Sequence, residues 1–162
     1  MTALTMEPFI EVMVPPSHGK AGFTAAFAKF GNRPYVLNEI TFTSPGRAVT
    51  STAVKNVAVT KTSRAALCAQ LLKNNKKLPK QHPLHLLLDG SNGPTSDVTR
   101  FTRDIPDDFI RDAYMVQHHA RILGLPPTKS IERVCGVSYA TAKSLARRMD
   151  KGDFDHVVGD AM

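Results

Sequence analysis

The chain has 162 residues, 42% hydrophobic and 22% charged, enough apolar material for one ordinary domain or two small ones and too much for wholesale disorder. Twenty-one Lys and Arg against fourteen Asp and Glu leave a formal net charge of +7 and an isoelectric point near 9.7, which admits nucleic acids or acidic surfaces as partners. No apolar run approaches the roughly 20 residues of a membrane span, no basic-then-apolar leader opens the chain, and with no Trp and three Tyr a large base-stacking platform is not expected.

In chain order, Phe9 to Val14 (FIEVMV) reads as a strand stopped by Pro15-Pro16. Between His18 and Arg33, Phe23, Phe27 and Phe30 recur at helical spacing, against the interruptions of Gly19, Gly22 and Gly31. Tyr35 to Thr43 (YVLNEITFT) is rich in β-branched and aromatic residues and predicts a strand, ended by a turn at Ser44-Pro45-Gly46. Ser51 is placed to cap a short helical turn. Ser63 is placed to cap a clearer helix, RAALCAQLLKNN, in which Leu67/Leu71 and Cys68/Leu72 stand i,i+4 on one apolar face. Two Cys far apart in sequence, Cys68 and Cys135, suggest packed thiols in a reducing compartment.

The positive charge is unevenly spread. Residues 106–162 hold eight Lys/Arg and eight Asp/Glu, whereas residues 1–105 hold thirteen and six, so the whole excess lies there. Within 55–80 stand Lys55, Lys61, Arg64, Lys73, Lys76, Lys77 and Lys80 and no acid. Lys73, Lys76, Lys77 and Lys80 follow the end of the helix; they either form a solvated terminus favoured by the helix dipole or make accessory phosphate contacts. Residues 89–105 (DGSNGPTSDVTRFTRDI) are turn-rich and read as a linker at a domain boundary.

Beyond it, Pro106-Asp107-Asp108 opens a helix with acids in its first turn, Phe109, Ala113, Val116, Ala120 and Leu123 recur at helical spacing, and Gly124 ends it. Pro126-Pro127-Thr128 restarts the chain. A short helix from about Lys129 to Cys135, a turn at Gly136 and a third helix from about Ser138 to Met149 follow. Ile131, Cys135, Val137, Ala142 and Leu145 are placed to face one another, and Ala142 is small enough for close approach. Ser138, Tyr139, Ala140, Lys143, Ser144 and Arg147 are then left outward, a set suited to a major groove. From Ser138 to Arg148 there are three cations, Lys143, Arg147 and Arg148, and no carboxylate.

This stretch resembles the helix-turn-helix superfamily of DNA-binding proteins, in its apolar Ile131, its Gly-Val-Ser at 136–138, its Thr141-Ala142 and its Leu145. Glu132 departs from the small residue such motifs usually carry near the crossing. Residues 106–149 are also similar to the C-terminal part of small, uncharacterised actinobacterial and actinophage proteins, in which an N-terminal α+β region precedes the helices. The similarity is faint over 35–75 and absent over 1–34. It implies DNA binding. On that reading Ser138, Tyr139, Ala140 and Lys143 face base edges, Ser144 and Arg147 lie at the groove or its rim, and Arg148 contacts the backbone. Thr128 and Lys129 contact phosphate at the start of the preceding helix. Tyr139 has packing as its alternative.

No catalytic arrangement emerges, and neither an enzyme activity nor a cofactor is expected. His82 and His85 stand i,i+3 with Cys68 upstream, but nothing near them completes the three or four ligands of a zinc site. His118 and His119 are adjacent on a helix and face different ways. Asp89-Gly90-Ser91-Asn92-Gly93 lacks the further acids of a calcium loop and reads as a turn. The expected architecture is α+β: an α+β region over 1–100, for dimerisation or accessory DNA contact, then a helical helix-turn-helix domain over 101–162. The expected function is sequence-specific binding of double-stranded DNA in the cytoplasm of a bacterium or phage-infected host, as a transcriptional regulator and with a homodimer in view. The alternatives are a DNA-architecture or recombination accessory factor, and a phage module that engages a host protein.

Overall fold

The computed structural model describes residues 4–17, 20–43, 49–55, 58–95 and 105–159. The expected turn at 44–46, His18 and Gly19, and the centre of the expected linker, 96–104, lie outside them. The fold is a small α+β arrangement: a three-stranded antiparallel sheet followed by helices. The chain divides into two compact units, Thr5–Asn75 and Met1–Leu4 with Lys76–Met162.

In the Thr5–Asn75 unit, β1 (Phe9–Val14), β2 (Gly22–Ala28) and β3 (Val36–Thr43) pair in the order β1-β2-β3. The expected helical face of Phe23, Phe27 and Phe30 is therefore corrected: Gly22–Ala28 is a strand. Phe23 and Phe27 stand four apart, a spacing that one side of a strand satisfies as well as one side of a helix. They are fully buried with Ala25 between them, while Phe30 lies beyond the strand, exposed. Asn38 is an extra residue on β3, since Ala26 pairs with Glu39 and Phe27 with Leu37.

The α1 helix (Ser51–Lys55) is short, and α2 (Val59–Asn74) packs on β1. Leu67, Cys68 and Leu71 of α2 and Ile10, Val12, Phe23 and Phe27 of the sheet are buried, each large side chain contributing about 1.5–3 kcal/mol. Ser63 does not cap α2. The helix starts one turn earlier, at Val59, and Ser63 lies buried inside it, its hydroxyl donating to the Val59 carbonyl at 2.6 Å. Tyr35 is buried and donates to the Glu7 carbonyl at 2.6 Å, and its phenol is pushed up to about 12 by burial and then by the Glu7 charge. Arg64 donates to the Tyr35 carbonyl (2.9 Å) and lies 5.2 Å over the Phe27 ring.

The second unit contains α3 (Pro83–Asp89), α4 (Asp107–Leu123), α5 (Pro127–Cys135), α6 (Tyr139–Asp150) and α7 (Asp155–Val158). The α3 helix has no counterpart in the expectations above. Pro83 occupies its first position, the His82 Nδ1 accepts from the Leu84 N–H at 3.2 Å, and Gly90 at φ 82° ends it. Because α3 packs on α4 and α5, the division between compact units falls at Asn75/Lys76 rather than near residue 100. The core joins Leu84, Leu87 and Leu88 of α3 to Ala113, Val116, Ala120 and Leu123 of α4 and to Ile131, Val134, Leu145 and Met149 of the last two long helices. No helix among the described residues is long and apolar enough to cross a membrane.

Candidate nucleic-acid interface

The α4, α5 and α6 helices form the frame that the sequence marks out. Gly124 ends α4 at φ 68° and Gly136 ends α5 at φ 63°, positions where a side chain would be strained. The Gly136 and Val137 amides both return to the Glu132 carbonyl, the latter at 3.2 Å. Glu132 thus contributes its backbone to the turn, and its side chain is half-exposed. Val137 is buried as the plug of the turn. Ser138 starts α6 in extended geometry, its Oγ accepting from the Thr141 N–H at 3.2 Å and lying 2.9 Å from the Thr141 Oγ1.

Ala142, Leu145, Ala146 and Met149 are the buried face of α6. Gln117, buried on α4, fastens that face by donating to the Ala146 carbonyl (3.3 Å) and to Asp150 (3.1 Å), which Arg121 meets at 2.6 Å. The opposite face carries Ala140, Lys143, Ser144 and Arg147 at i, i+3, i+4 and i+7, all exposed, with Tyr139 beside them 49% exposed. Lys143 and Arg147 make no ion pair among the described residues. Asp150, the first carboxylate along the helix, is held against α4.

The other expected site residues fall elsewhere. Ser138 is exposed but engaged as a cap. Arg148 lies 4.4 Å over the Phe154 ring with its Nε 3.5 Å from Asp153, so it is turned toward the chain after α6. Thr128 is half-buried and Lys129 exposed in the first turn of α5. Lys129 lines an open concavity of about 710 Å³ with Asn92, Gly93, Glu132, Arg133 and Gly136. Of the accessory lysines, Lys73 ends α2 in one compact unit while Lys76, Lys77 and Lys80 belong to the other; all four are exposed.

Sequence reasoning missed what holds α5 in place. Arg133 donates to three carbonyls around the end of α3: Leu86 (3.0 Å), Leu87 (3.2 Å) and Ser91 (2.7 Å). Gly93 returns the contact, its N–H donating to the Arg133 carbonyl at 2.9 Å, and an added Cβ there would lie 1.8 Å from the Val134 oxygen. The available signals were Pro83 and Gly90 bracketing LHLLLD.

His119 and His82 are both shifted by burial. His119 makes a 2.8 Å hydrogen bond through Nδ1 to the Met115 carbonyl, and burial lowers its pKa despite that bond. Burial likewise lowers His82, which Asp112 partly offsets. The Cys135 thiol is pushed up to about 12, by burial and then by Asp112, which disfavours the thiolate form. Among the described residues no group of three His, Cys, Asp or Glu side chains could hold a metal ion. Comparison of the chain with known protein families, with curated proteins and with solved structures returned no match.

Proposed function

We propose that the protein binds double-stranded DNA in a sequence-specific way through α6, as a bacterial or phage transcriptional regulator acting at the nucleoid. The observation that carries this reading is the exposed stripe Ala140–Lys143–Ser144–Arg147 on a capped helix anchored by its opposite face. Short side chains let a helix approach the floor of a major groove, Lys and Arg read guanine edges, and Ala and Ser fit beside thymine methyls. The cations of the stripe are free of ion pairs among the described residues, so binding phosphate or base breaks no such contact.

Two assignments follow the observed hydrogen bonding. Ser138 acts by orienting the first turn of α6, whose free N–H groups face a phosphate. Arg148 supports α6 from the side of Phe154, and Lys143 and Arg147 are the principal cationic readers. The test is selection from random duplex DNA at about 150 mM salt, where phosphate attraction alone is weakened. An enriched motif is expected, and Lys143→Ala and Arg147→Ala are each expected to cost about 1–3 kcal/mol on it. Binding without a motif would shift the role to DNA architecture. Failure to bind duplex at all would refute the reading and favour a protein partner.

A further inference from the structure

The two faces of the sheet are unlike. Alternation along the observed register puts Ile10, Val12, Phe23, Ala25, Phe27, Leu37, Ile40 and Phe42 on one side, with α2 packed there on β1. The other side holds Phe9, Ala28 and Val36 as one cross-strand row, Glu11, Ala26 and Glu39 as the next, and Met13, Thr24 and Thr41 as the third. On this side the large side chains are open, with Phe9 53%, Val36 58% and Met13 78% exposed, and Phe30 just past the end of β2 is 73% exposed. Phe9, Val36 and Phe30 gather at one end of this face, with Met13 at the other, and exposed apolar groups so gathered mark an interaction surface.

We propose that this open face packs against the same face of a second copy of the chain, about a two-fold axis running along the Phe9–Ala28–Val36 row. That axis stacks the apolar row on itself. It also sets each residue two places on one side of the row against the copy's residue two places on the other side. Ala26, the small residue between Glu11 and Glu39, then faces Phe30. Glu39 faces the hairpin end carrying Arg33, so unlike charges meet. By the same rule Glu11 comes against position 7 of the copy, where the Glu7 carboxylate accepts from Asn74 of α2 at 3.4 Å, so only the Glu39–Arg33 pairs bring unlike charges together. Two copies in any register that put the Glu11–Ala26–Glu39 row on itself would oppose like charges.

Size sets the strength. Three strands about 4.8 Å apart and seven residues at about 3.3 Å each make a face of roughly 300 Å² per copy, well short of the about 800 Å² per partner of a standard interface. The free dimer is therefore weak, and two half-sites on one DNA complete it by raising the effective concentration. The proposal rests on the DNA reading only for its purpose, a second helix-turn-helix on a symmetric site.

The test is sedimentation equilibrium of the full chain without DNA, from micromolar to near-millimolar concentration, with far-ultraviolet circular dichroism to confirm that each variant is folded. Reversible dimerisation is expected, weakened at least tenfold by Phe9→Lys/Val36→Lys. Glu39→Lys and Arg33→Glu are each expected to weaken it, and the two together to restore it. A chain that stays monomeric, a dimer indifferent to Phe9→Lys/Val36→Lys, or a double charge swap that fails to restore association overturns the proposal. A dimer that selects no DNA motif leaves this interface standing and removes only the DNA reading.

Discussion

Replacing Arg133 with Met removes the guanidinium and keeps most of the aliphatic stem. Three carbonyls, those of Leu86, Leu87 and Ser91, lose a charged donor at 3.0, 3.2 and 2.7 Å. Hydrogen bonds to charged groups contribute about 1.5–3 kcal/mol each. Arg133 is only half-buried, the three bonds share one group, and Leu86 keeps the Gly90 N–H as a donor at 3.1 Å. Water can reach part of what is vacated, so the expected loss is about 3 kcal/mol in total rather than the sum of three full bonds. Arg133→Lys should recover about a third of it, because an ammonium cannot span the three acceptors with a planar fork. Urea unfolding followed by circular dichroism, extrapolated linearly to water, measures the change. A loss under about 0.5 kcal/mol for the Met variant, the range of ordinary surface substitutions, would refute the idea that this side chain ties α3 to α5.

Gly93→Ala should destabilise by about 2 kcal/mol or more, since its Cβ would meet backbone rather than a flexible side chain. Gly31→Ala, in open space at φ 57°, should cost only about 1–2 kcal/mol; equal losses in urea unfolding would argue against the close approach of Gly93 to α5. Ser138→Ala should lose about 1 kcal/mol of stability with its cap. Ser138→Asp should keep the cap yet weaken DNA binding by placing a carboxylate beside phosphate, and tighter binding by the Asp variant would remove α6 from the interface. His82 and His119 are both lowered by burial, so the folded unit binds fewer protons than the unfolded chain. Their stabilisation is present above the unfolded value of about 6.5 and lost as pH falls below it. Asp112, raised by burial, works in the opposite sense only near the carboxylate range. The urea midpoint should therefore drop between about pH 7 and pH 5, and His119→Gln should flatten the drop; an unchanged slope would show that His119 does not titrate with unfolding.

Much of the fold was legible locally. FIEVMV between its prolines and YVLNEITFT both form strands, because alternation and β-branched residues carry that signal within a few positions. The Gly124 and Gly136 ends of α4 and α5, and the outward set on α6, were legible for the same reason: a left-handed cap demands glycine, and an amphipathic helix declares its face. Ser63 and the 18–33 stretch were misread where two local rules gave the same pattern. A serine before an apolar helix suits a cap or an interior back-bond, and phenylalanines four apart suit a helix or a strand. Only pairing with β1 and β3 decided the second case, and only the earlier start at Val59 the first.

Sequence by itself determined the three-helix frame, the cation-bearing stripe of α6 and the α+β class, since each is set by residues within about one helical repeat of one another. Tertiary structure alone decided that α3 belongs with the C-terminal helices. It decided too that Arg133 and Gly93 fasten α5, that Arg148 turns to Phe154 while Lys143 and Arg147 stay outward, and that Phe9, Met13 and Val36 stand exposed on one face of the sheet. Those facts depend on which distant carbonyl, ring or strand comes to lie beside a side chain, and no spacing along the chain encodes that.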